Sequence, residues 1–122
     1  MINSNVETIN DRINNIEIGD NNMYNSLSII HTFETTSGSS ITYTAPEDCD
    51  NLVIVTTSLK TQVSISPAIS EDVVVETIYD SGSSAATKIF KITNCAGKTL
   101  NIKYSLVQYD NIKGCVLKFL SI

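Results

Sequence analysis

A chain of 122 residues with a formal net charge of −5 has room for one domain and a short extension. Its eight Lys and Arg are scattered among thirteen acids, which argues against the clustered basic footprint that nucleic acid requires. No apolar run approaches the length of a membrane span, so no membrane insertion is expected; Met1–Asn5 is polar with no signal-like apolar region, so a protein made in a cytoplasm is expected.

In chain order, the first element is a short heptad. Ile2, Val6, Ile9, Ile13 and Ile16 are spaced four, three, four and three. Val6 and Ile13 take position a, and Ile2, Ile9 and Ile16 take position d, with polar residues between them. Isoleucine at d with β-branched residues at a favours three strands over two. Gly19-Asp20-Asn21-Asn22 reads as a helix stop. A helix this short is marginal alone in water. Residues 1–20 are therefore expected to be a trimeric coiled-coil stalk or anchor, supported by a β domain over 24–122. An amphipathic helix packed back on its own domain is the other reading.

Strand patterns follow. Leu27–Glu34 places Leu27, Ile29, His31 and Phe33 on one face, and Ser37–Ser40 turns. Ile41–Thr44 is stopped by Ala45-Pro46-Glu47-Asp48. Leu52–Val55 is a continuous apolar run, as in a strand buried on both faces. Gln62–Ser66 alternates up to Pro67. Val73–Tyr79 is the next strand, then the polar loop Asp80–Ser84, then Lys88–Ile92. After Ala96-Gly97-Lys98, Leu100, Ile102, Tyr104 and Leu106 alternate inward. Gly114 opens a last strand, Cys115–Ile122.

About eight short strands with turn signals between them predict a mainly β protein, an antiparallel jelly-roll-like β-sandwich behind the N-terminal coiled-coil helix. An immunoglobulin-like sandwich ranks second, because there is no Trp to complete its signature. Cys49, Cys95 and Cys115 are an odd number without motif spacing, and are expected as reduced, buried thiols.

The stretch Gly38-Ser39-Ser40-Ile41-Thr42-Tyr43-Thr44-Ala45-Pro46-Glu47-Asp48, running on to Leu52-Val53-Ile54, resembles a phrase of bacteriophage fibre heads and small virion β domains, G-x-x-x-T-Y-T-A-P-x-D-G-x-L-x-V. Ala96-Gly97-Lys98-Thr99-Leu100-Asn101-Ile102 resembles their later glycine turn. Cys49-Asp50 departs from the usual glycine, and Lys98 from the usual acid. The resemblance spans most of residues 38–107. It implies a homotrimeric head fibre, capsid decoration protein or fibre-head domain on the virion surface. The major capsid protein or another virion protein would be its partner, and a host surface glycan a further one.

Chemistry is sparse. The single histidine, His31, sits in an apolar alternation and reads as a packed or interface residue. No catalytic constellation, metal-ligand spacing or phosphate loop occurs, so no enzyme, metal or cofactor is expected. Glu47-Asp48 and Glu71-Asp72 lack calcium-loop spacing. Tyr43 and Tyr104 read as core or trimer interface. Tyr109, with Asp80 and Ser81, is the candidate distal ligand surface, through tyrosine's ability to stack on a sugar.

Overall fold

The computed structural model describes residues 27–69, 72–82 and 86–119. The heptad residues Ile2, Val6, Ile9, Ile13 and Ile16 lie outside them, as do Glu71 and Ser83–Ser84. Eight strands appear among the described residues: β1 (Leu27–Thr35), β2 (Ser40–Thr44), β3 (Asn51–Thr57), β4 (Val63–Pro67), β5 (Val74–Asp80), β6 (Thr87–Thr93), β7 (Thr99–Tyr104) and β8 (Ile112–Phe119). No helix occurs among the described residues.

The strands form two antiparallel sheets, ordered β1-β8-β3-β6-β5 and β2-β7-β4. Period-two alternation explains why they stack. Leu52, Ile54, Phe90, Ile92, Ile112 and Val116 of the larger sheet face Val63, Ile65, Leu100, Ile102 and Tyr104 of the smaller one. Each such side chain contributes roughly 1.5–3 kcal/mol before entropy is counted. The alternation expected at Leu100, Ile102 and Tyr104 is observed; β7 ends there, and Leu106 packs on the core from the following loop. The Tyr104 hydroxyl donates to the Ser37 carbonyl at 2.8 Å, which reconciles a buried phenol with an apolar core.

Three local expectations are corrected. β1 carries a bulge between the pairs Ile29↔Leu117 and His31↔Val116. The extra residue, Ile30, packs on the core while Ile29 is 59% exposed, so Leu27, Ile29, His31 and Phe33 do not share one face. β8 begins at Ile112, with Gly114 inside it. A Cβ on Gly114 would collide with the Phe33 ring, so the glycine makes room for an aromatic across the ladder. In β3, Leu52, Val53 and Ile54 are buried, but Val55 is only half-buried.

The outer faces of the two sheets differ. On the smaller sheet the outward register is Ser40–Lys103–Ser64, Thr42–Asn101–Ser66 and Thr44–Thr99, all polar. On the larger sheet two adjacent outward rows run Ile29–Leu117–Val53–Lys91–Glu76 and Thr32–Cys115–Val55–Ile89–Tyr79. These rows are mainly apolar.

Candidate functional site

Strand direction sorts the loops. Leu27, where β1 starts, pairs with Phe119 near the end of β8, at one end of the sandwich. The β1–β2, β3–β4, β5–β6 and β7–β8 connections all lie at the other end. Tyr109 and the Asp80-Ser81 pair therefore share that end, though in separate loops.

The bracing of this end centres on Asp110, which is 6% exposed. Its carboxylate accepts the amides of Leu59 at 2.8 Å, Lys60 at 2.9 Å and Thr61 at 2.8 Å. It also accepts the Thr61 hydroxyl at 2.7 Å and the Asn111 amide at 2.7 Å. Three successive amides converging on one anion form a nest. Burial pushes the Asp110 carboxyl up, but the Lys60 and Leu59 amides and both Thr61 donors outweigh it and hold it well below the usual carboxylate range. Thr61 Oγ1 in turn accepts the Val107 amide at 3.0 Å, which ties the β3–β4 and β7–β8 loops together.

The brace continues sideways. Gln62 Nε2 donates to the Gly82 carbonyl at 3.3 Å, and the Gly82 amide donates to Asp80 Oδ1 at 2.8 Å. Asp80 Oδ2 lies 3.8 Å from Lys88 Nζ, which also donates to the Val63 carbonyl at 3.0 Å. Ser81 Oγ accepts the Thr87 amide at 2.8 Å. Asp80 and Ser81 are thus engaged in closing their own turn. Tyr109 is different: it is 91% exposed and held at φ 64°, a left-handed conformation. It borders an open cleft of about 570 Å³ between Thr36 and the segment Leu106–Asn111. Asn111 Nδ2 donates to Glu34 Oε2 at 3.0 Å and fixes the far wall.

Asp110 is the residue that sequence reasoning passed over. Its partners are mainly backbone amides, which leave no trace in side-chain identity. The one available signal was the Asp110-Asn111 turn dipeptide.

At the opposite end the two phrases that carried the family resemblance meet. The Ala45 amide donates to the Lys98 carbonyl at 2.9 Å, and the Pro46 carbonyl accepts the Cys49 amide at 3.0 Å and the Gly97 amide at 3.2 Å. The Cys95 thiol donates to the Cys49 carbonyl at 3.3 Å. Burial chiefly, with Asp50 and Cys49 nearby and against a lowering backbone hydrogen bond, pushes Cys95 up to about 11. All three cysteines are free thiols; Cys49 and Cys95 are buried and Cys115 is half-buried. His31 stacks on Tyr43 with centroids 4.9 Å apart, joining edge strands β1 and β2 of the two sheets. Among the described residues no three His, Cys, Asp or Glu side chains converge as a metal site, and no helix is long and apolar enough to cross a membrane.

No protein-family model matches the chain, and no curated protein matches it in sequence. Among solved structures, a chain of the tripod from the baseplate of bacteriophage Tuc2009 is similar over 80% of this chain, at 16% identity and a TM-score of 0.32. The match spans 65% of that chain.

Proposed function

We propose that this chain is a non-enzymatic virion structural protein, a homotrimeric phage head fibre or capsid decoration protein attached to the capsid surface through its N-terminal region. The observation that carries the reading is the polarity of the sandwich. The heptad segment precedes β1 and joins at the end where Leu27 pairs with Phe119, while the braced loops occupy the other end. That polarity supports reading the N-terminal segment as a stalk or anchor and the sandwich as a head. The ladder pairing supports a jelly-roll reading of the head: β1 with β8, β2 with β7 and β3 with β6 nest as in a rolled hairpin. The departure is β5, which pairs with β6 in the larger sheet and leaves β4 at an edge of the smaller one.

A second reading, a receptor- or glycan-binding tip of a tail fibre, is favoured by Tyr109, an exposed aromatic over a cleft in a rigidly braced loop.

The test is gold labelling of virions with an antibody to the recombinant chain, alongside light scattering of the full chain and of Ile9→Asp/Ile13→Asp. Label on the capsid and a trimer that the double variant disrupts are expected. Label at the tail tip would favour the second reading. A monomeric wild-type chain, or a double variant that stays trimeric and capsid-bound, would sink the role given to the seam.

A further inference from the structure

We infer that the outer face of the five-stranded sheet is where copies of this chain meet, so that its occupant is a second copy; the inference rests on the trimer reading above. The chemistry of the two outer faces differs sharply. The smaller sheet turns Ser, Thr, Asn and Lys outward, as a solvated antiparallel face does. The larger sheet turns out Ile29 and Tyr79, both exposed, and Leu117, Val55 and Ile89, half-buried, on two adjacent rows around Val53, which is already buried. The charges within those rows are Lys91 and Glu76, which stand opposite one another. The next row outward begins with the Glu34–Lys113 ion pair at 3.7 Å. An apolar centre depleted in net charge with a charged rim is the anatomy of a protein contact.

Edge pairing is disfavoured. Both edge strands of this sheet, β1 and β5, are bulged, between Ile29 and His31 and between Thr77 and Tyr79. Bulged edges resist strand addition, so the contact is face to face. The chain preceding the sheet says which partner is at hand. Ile16, the last heptad residue, precedes Leu27 by a tether that reaches no more than about 40 Å fully extended. Leu27 lies on this same outer face, opposite Phe119. Three chains joined at the seam therefore hold three copies of the apolar face around one axis.

Cys115 sits in the middle of this face, opposite Val55, and reports whether it is covered. The experiment uses the full chain. Light scattering gives its mass, and the rate of Cys115 modification by N-ethylmaleimide is followed by peptide mass spectrometry. A trimer of three times 13.3 kDa is expected, with Cys115 reacting at least tenfold more slowly than in Val55→Glu. Ile29→Glu/Tyr79→Glu, at two exposed positions and with its fold checked by circular dichroism, should weaken the trimer and unmask Cys115 likewise. Thr42→Glu, on the polar sheet, should change neither. If the wild type is a trimer, yet these face variants alter neither mass nor Cys115 rate, the copies meet elsewhere; the inference fails while the trimer reading stands. If the wild type is a monomer whose Cys115 is unmasked by Ile9→Asp, the heptad segment covers the face within one chain, and inference and trimer fall together. A monomer with Cys115 freely reactive overturns both as well.

Discussion

Asp110 receives both the amide and the hydroxyl of Thr61, at 2.8 and 2.7 Å, across the gap between the β7–β8 and β3–β4 loops. With the Leu59 and Lys60 amides on the same carboxylate, one buried charge fixes the loop end of the sandwich. Asp110→Asn should cost about 2 kcal/mol or more, because hydrogen bonds to a charged acceptor are worth about 1.5–3 kcal/mol each. The pH dependence follows from the depressed carboxyl. Between the folded value and the ordinary value near 3.8, the unfolded chain binds the extra proton, so stability rises with pH through that window. The contribution is complete above it and is lost as pH falls toward the folded value. Urea unfolding from pH 6 downward should show this acid-side loss in the wild type and a smaller one in Asp110→Asn.

Gly114→Ala should destabilise the fold by about 1–3 kcal/mol, the usual range for overpacking. The added Cβ meets the Phe33 ring and would lie 2.6 Å from the Val55 carbonyl oxygen, which is backbone and cannot swing away. Gly114→Ala combined with Phe33→Leu should recover only the part owed to the ring. Thermal unfolding of the two variants measures the division.

Thr56→Val should raise stability by about 1 kcal/mol, since a buried hydroxyl without a partner carries its desolvation penalty. Thr56 is 1% exposed on the inner side of β3, and its Oγ1 has no hydrogen-bond partner. A valine keeps the branched shape and removes the unmet polar atom. An unchanged or lower melting temperature would show that the hydroxyl is satisfied in solution.

Tyr109→Gly separates stability from binding. A non-glycine residue at φ 64° bears a left-handed penalty, so glycine should stabilise the chain by about 1 kcal/mol. Under the glycan-tip reading the same substitution should abolish binding to host cells, as measured by saturation of labelled protein, while Tyr109→Phe retains most of it. Equal cell binding by wild type and Tyr109→Gly would remove the tyrosine from any ligand surface.

The strands were legible because period-two alternation is a local property. Leu100, Ile102 and Tyr104 declare an inward face whatever they pack against, and Pro46 and Gly97 declare the ends of runs. The extra residue Ile30 was not legible. A bulge looks like an ordinary strand residue until its partner strand is known, and here the partner is β8, far along the chain. Gly114 misled for a related reason. Glycine is a turn signal in isolation, and only the Phe33 ring opposite explains it inside a strand.

At the loop end, residue identity marks which positions are polar, aromatic or turn-forming, and so singles out Tyr109, Asp80 and Ser81. What each does there depends on the folded neighbours. Asp80 and Ser81 close their own turn, Tyr109 stands exposed, and Asp110 does the bracing. Likewise, sequence determined that Val53 and Val55 are apolar, but only the strand register places them in unbroken outward rows with Leu117 and Ile89. Alternation is set by neighbours along one strand. A nest of amides or an apolar sheet face is set by segments that the chain brings together only when it folds.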